Sequence, residues 1–186
     1  MDGSIVIAAW SAEFTRARKQ IGDAVAQLSD DQFRTRLTPQ TNSCALIVKH
    51  LAGNMRSRWT DWMTSDGEKP DRDRENEFAD QGESRAELMA RLDAGWGLVM
   101  GALAALRPED LSRTVTIRGE PHSVPQAVER QIAHYGYHAG QIQLIARIVH
   151  GNEGWKWTSV APGQSGAFNR AMEAKFGGSG AAPGSA

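Results

Sequence analysis

His134 and His138 stand four residues apart within Gln131-Ile132-Ala133-His134-Tyr135-Gly136-Tyr137-His138-Ala139-Gly140-Gln141, a run with a helical pattern. At that interval both imidazoles leave one face of a helix, one turn above the other. Two metal ligands can come from such a pair, and a third has to come from elsewhere. His50 is the best candidate, because it sits at the edge of the apolar stripe of a separate predicted helix. Three neutral imidazoles suit Zn, Ni, Co or Fe in the divalent state and leave positions open for water or substrate. Gln131 and Gln141 share the face of the pair, and Gln141, three residues after His138, is placed to orient a ligand or a bound water. The blander reading makes each histidine a hydrogen-bonded group at a helix seam and Gln141 a core amide.

The remaining reactive residues carry less. His122 falls in a predicted turn and His150 at a helix end, where an imidazolium complements the helix dipole. Cys44 lies near a helix N-terminus, a position that can lower a thiol pKa, but it points about 120° round the helix from His50 and is not expected to be a ligand. Trp10, Trp59, Trp62 and Trp96 have the spacing of core residues. No glycine-rich phosphate loop, nucleophile elbow or CxxC pair is present.

Four long helices are expected to position these groups. Ile7, Trp10, Phe14, Ile21, Val25 and Leu28 mark the first, over 5–28, with Ser29-Asp30-Asp31 as its stop. Thr41-Asn42-Ser43 offers caps for the second, which carries Ile47, Leu51, Met55, Trp59 and Trp62 to about Met63. The stretch Asp66 to Glu77 has six acids, three bases and no apolar periodicity, and reads as a solvated surface loop. Ser84 and Glu87 form a capping box for the third helix, lined by Leu88, Leu92, Trp96, Val99, Leu103 and Leu106. Residues 113–124 read as a small hairpin, and the fourth helix runs from about Pro125 to His150-Gly151. A short terminal helix is expected within 166–176. The fold class is therefore all-α, a four-helix bundle over 1–176 with a β-hairpin before the fourth helix, followed by a low-complexity tail at 177–186.

Composition narrows the function. The 186 residues, 40% hydrophobic and 23% charged, suit one domain with a proper core. A net charge of -1 gives no footprint for nucleic acid. One cysteine allows no internal disulfide, the first residues lack signal-peptide order, and no apolar run approaches a membrane span, so a cytoplasmic protein off the membrane is expected.

Several separated runs together resemble the DinB/YfiT-like superfamily: Asn42 to Trp59, then Asp66-Gly67-Glu68-Lys69-Pro70, then Ile117-Arg118-Gly119-Glu120, then Arg130 to Gln141. The resemblance spans roughly residues 5–172 and is to an uncharacterised branch. It implies a four-helix bundle, often a homodimer, in which His50, His134 and His138 bind a divalent metal, Zn or Ni foremost. It further implies a thiol S-transferase or hydrolase acting on a small electrophilic substrate, with a low-molecular-weight thiol such as bacillithiol or mycothiol as cosubstrate. Asn54, Arg56, Arg58 or Arg118 would then recognise an anionic group, with Gln141, Asn54 and Arg58 foremost around the metal. No catalytic base stands out. The alternative is a non-catalytic, metal-binding or stress-associated dimeric bundle.

Overall fold

A computed structural model of the protein describes residues 2–177. The described residues are mostly helical, with seven α-helices, one 3-10 turn and one two-stranded antiparallel hairpin. In order these are α1 (Gly3–Val25), α2 (Asp30–Arg34), α3 (Cys44–Trp59), α4 (Arg74–Glu77), α5 (Arg85–Ala105), the 3-10 turn Pro108–Ser112, β1 (Thr114–Ile117), β2 (Glu120–Ser123), α6 (Val124–His150) and α7 (Ser165–Phe176). Contacts divide the chain into Met1–Trp155 and Lys156–Ala186, and α7 belongs to the second unit. Most of the low-complexity tail lies outside the described residues.

Side-chain caps set where most helices begin. Ser43 accepts from the Leu46 N–H, and Ser29, Ser84 and Ser123 each form a capping box with the Gln or Glu three residues on. Ser29 thus starts α2, whereas the sequence suggested only a stop. A serine between two helices ends one turn of chain and caps the next, and the pattern alone does not tell these apart.

Helix α3 is the axis of the first unit. Of its residues only Gly53 and Arg56 are not buried. It packs chiefly on α5 and also on α6, while α1 packs on α6. At Gly95 of α5 the approach to α3 is close enough that a Cβ would lie 2.9 Å from the Met55 Cβ. The helix stops at Trp59 rather than near Met63, because Asp61 takes a left-handed φ of 46°. Trp62 is buried all the same. Helix α5 is long and apolar enough to cross a membrane by length and composition, contrary to the sequence expectation. Here its stripe Leu88, Leu92, Trp96, Val99 and Leu103 faces the core, which is how a core helix passes such a test.

The hairpin pairs Thr114 with Ser123 and Ile117 with Glu120. Arg118 and Gly119 form its turn with φ of 57° and 75°, the left-handed pair of a tight hairpin turn. Arg118 in that region carries strain of roughly 1 kcal/mol. The Asp66 carboxylate offsets it by accepting both turn N–H groups, each at 2.8 Å. Burial works against the Asp66 charge, but these bonds and that from the Glu68 N–H outweigh it and hold the group at about 2. The charged stretch is thereby stapled to the hairpin.

Within the core, the Tyr135 hydroxyl accepts from Trp59 Nε1 at 2.9 Å and donates to Asn54 Oδ1 at 3.1 Å. Tyr135→Phe leaves both partners unpaired in a fully buried place and should cost about 1–3 kcal/mol, read as a lowered midpoint in urea unfolding. An unchanged midpoint would mean that Trp59 and Asn54 find other partners.

Candidate metal centre

His50 on α3 and His134 and His138 on α6 meet across the seam between the two helices. His134 Nε2 lies 3.2 Å from His50 Nε2 and 3.1 Å from His138 Nε2. A tetrahedral zinc site with ordinary Zn–N bonds has nitrogens about 3.3 Å apart, so the spacing is that of ligands around one ion. His50 and His138 are buried and His134 is half-buried. No other cluster of three or more His, Cys, Asp or Glu among the described residues is arranged to hold a metal.

The outer nitrogens explain why the inner ones converge. His50 Nδ1 is 2.8 Å from Glu77 Oε2, and His138 Nδ1 is 2.8 Å from Gln141 Oε1. Both partners accept, so in the neutral rings the proton sits on Nδ1 and each Nε2 presents a lone pair inward. His134 can donate to one of them at most. The other contact is then two lone pairs face to face, which a cation resolves and a hydrogen bond does not. Burial, and next the charges of His138 and His50, push His134 down to about 3. Burial and His50 bring His138 to about 4, against the pull of its bond to Gln141. The residues therefore fit a divalent ion held by three neutral imidazoles.

Glu77 is the residue that sequence reasoning missed. It closes α4 at the end of the supposed solvated run, yet it is buried, and Arg72 grips both its oxygens at 2.8 and 2.9 Å. Burial opposes its charge, but His50 and Arg72 outweigh that and keep its pKa below the usual carboxylate range. Arg72 also reaches Glu68, whose Oε2 is shared with Arg58 and Arg118. Glu68, Arg72 and Glu77 are thus turned inward by their own charges, while Pro70, Asp71 and residues 73–76 stay exposed, as a surface loop should. Phe78, the one aromatic residue beside the run, stacks on His50 with ring centroids 4.7 Å apart. A lone phenylalanine after so many charges was the available signal.

Gly53, one turn after His50, makes room for this carboxylate. A Cβ there would lie 2.2 Å from Glu77 Oε1. The oxygen is the tip of a flexible side chain, but three bonds hold its carboxylate, one to Oε1 and two to Oε2.

The other expected residues divide. Gln141 supports His138 and donates from Nε2 to the Tyr137 hydroxyl at 2.9 Å. Asn54 and Arg58 are buried and line a cavity of about 400 Å³ that opens on the histidines, as do Gln131 and Arg118. Arg56 does not line it: it is exposed, pairs with Asp71 and faces another cavity. Cys44 is fully buried, and burial pushes its thiol up to about 12, against the lowering that its place at a helix start suggested. His122 and His150 lie away from the cluster, the first bonded to the Glu120 carbonyl and the second against Trp155.

Two predictions follow from this geometry. Gly53→Ala should displace Glu77 and weaken metal binding about 10- to 100-fold, the usual effect of losing an outer-shell partner, with the helical circular dichroism intact. Wild-type affinity in that variant, measured by competition with a chromophoric chelator, would show that the Glu77 grip does not matter. In chelator-treated protein, the unfolded chain takes up protons below about 6.5 that native His134 and His138 refuse down to about 3 and about 4. Their contribution to stability is therefore full above about pH 6.5 and is lost as pH falls through that window. The urea midpoint should drop between pH 7 and pH 5, and less so in His134→Gln.

No curated protein matches the sequence. A family model described as a protein of unknown function, DUF1572, matches residues 4–164, a span that holds the three histidines, Glu77, Arg72 and Gln141. The chain is therefore a member of the DUF1572 family.

Proposed function

We propose that the protein is a DinB-like, divalent-metal-dependent enzyme that transfers a low-molecular-weight thiol to a small electrophilic substrate. The observation that carries this reading is the meeting of three imidazole Nε2 atoms, two of them fixed as lone-pair donors by Glu77 and Gln141. In this reading His50, His134 and His138 hold the metal, and α1, α3, α5 and α6 form the four-helix bundle that the DinB resemblance implies. Zn or Ni fits the all-imidazole donor set best. When bound, a divalent ion lowers the pKa of a thiol or a water and so makes a nucleophile available at neutral pH.

The chain's own residues supply the rest. Asn54 and Arg58 line the cavity beside the histidines, with Arg58 kept in place by Glu68 and the Gly67 carbonyl. Phe78 covers one face of His50 and excludes water from it. No carboxylate lines the cavity among the described residues, and the nearest behind it, Glu77, has both oxygens occupied by Arg72. A hydrolase that needs a carboxylate base has none in place here. This favours transfer from a thiol, which brings its own nucleophile, over hydrolysis. The homodimer implied by the resemblance and the cytoplasmic location expected from the composition belong to the same proposal. The outer face of α6 supports the former, since Tyr137, Leu144 and Ile148 are exposed there.

Elemental analysis of untagged protein should find about one divalent ion per chain, lost in His138→Ala. The loaded protein should speed consumption of glutathione or cysteine by a chlorodinitrobenzene electrophile, and His138→Ala should not. Metal without turnover over a panel of thiols would leave a metal-binding bundle that is not a transferase. Metal absent from both proteins after reconstitution with Zn and Ni would end the metalloenzyme reading.

A further inference from the structure

Five arginines line the cavity, and their charges are compensated unevenly. Arg58, Arg72 and Arg118 converge on one oxygen of Glu68, at 2.8, 3.3 and 3.1 Å, and Arg72 also holds Glu77. These three form a fixed, positively charged wall. Arg130 has one carboxylate within ion-pair distance among the described residues, Glu120, 3.7 Å away, with both side chains about half or more exposed, so that solvent weakens the pair, and its contact with His122 Nε2 at 3.1 Å brings no carboxylate charge. Arg74 has no carboxylate within ion-pair distance among the described residues, and its guanidinium lies over the Phe78 ring, 5.4 Å from the centroid. Phe78 stacks in turn on His50, which places Arg74 above the metal ligands at the cavity rim.

A second observation points the same way from inside. Gln131 is 4% exposed and lines the cavity, and its side-chain oxygen has no hydrogen-bond partner. A buried acceptor of this kind is costly unless something donates to it. An arginine-lined concavity with no carboxylate on its wall focuses positive potential, and a guanidinium matches the geometry of an oxyanion. The cavity volume of about 400 Å³ is that of a site for a small molecule.

We infer that the cavity binds a small organic oxyanion, a carboxylate or a phosphate ester, whose charged group seats on Arg74 and Arg130 while an O–H or N–H of the same molecule donates to Gln131. This deepens the proposed function and rests on its reading of the cavity as the substrate site. The oxyanion is the handle by which the thiol or the electrophile is held, and the reacting end points down to the histidines.

Titration calorimetry with succinate, inorganic phosphate and the uncharged succinamide tests this on chelator-treated and on Co(II)-loaded protein. Saturable binding of succinate or phosphate and none of succinamide is expected, with affinity falling at least tenfold in Arg74→Gln/Arg130→Gln. Arg56→Gln, which removes one positive charge outside the cavity, should bind as wild type. Stronger binding of phosphate assigns a phosphate ester, and stronger binding of succinate a carboxylate. The inference is overturned if neither anion binds saturably, if succinamide binds as well, or if the double variant, shown to be folded by circular dichroism, binds like wild type. Failure of Co(II) to load would defeat the metal reading alone, since the metal-free arm still decides the anion site.

Discussion

Two imidazole lone pairs turned toward a third ring cannot all be satisfied by protons, and this constraint orders the rest of the site. His50 and His138 are each committed by an acceptor on the outer nitrogen, Glu77 in one case and Gln141 in the other. Once those bonds are made, the inner nitrogens are acceptors with about 3 Å between neighbours and one donor at most to share. Hydrogen bonding inside the cluster is therefore incomplete by design of the outer shell. A cation at the meeting point would satisfy all three inner nitrogens at once, and the outer bonds of His50 and His138 raise the basicity of the nitrogens that would bind it, while the buried His134 Nδ1 has no protein partner.

Keeping Glu77 ionised in a buried place is expensive, and the structure meets that cost with charge rather than water. Arg72 chelates Glu77, reaches Glu68, and through Glu68 joins Arg58 and Arg118, the last of these held at a strained hairpin turn by Asp66. A buried ion pair need not add net stability, since desolvation offsets its Coulomb energy. Its value here is positional. It draws Glu68, Arg72 and Glu77 inward, lays Phe78 on His50 and fixes which way His50 turns. Gly53 completes the arrangement by offering no Cβ where the carboxylate must pass.

The parts of this that were legible in sequence are those with a period. The stripes read for α1, α3 and α5 lie on buried faces, and Ser43 and Ser84 cap α3 and α5 where the polar residues before those stripes suggested. The i, i+4 pair His134 and His138 fell on one face, and His50, at the edge of a stripe, came to meet it. Glu77 and Arg72 were illegible because their partners are not periodic. A run of alternating acids and bases looks alike whether it is solvated or folded against a buried histidine, and what decides is a contact 27 positions away. Cys44 shows the opposite error: its position at a helix start suggested activation, but its complete burial dominates.

The same network accounts for why Glu77 is a neighbour of the site and not a member of it. A carboxylate 2.8 Å from a ligand histidine could swing inward and become a fourth donor, which would move the site toward harder ions and close a coordination position. Arg72 opposes this by holding both oxygens in a bidentate grip. The candidate donor set is then all imidazole, with no ligand charge of its own, so a divalent ion held there would keep its full positive charge toward the cavity. Arg72 thus acts on the candidate site without touching the histidines: it assigns Glu77 to orienting His50, and it would leave the open side of a bound metal to a ligand from solution.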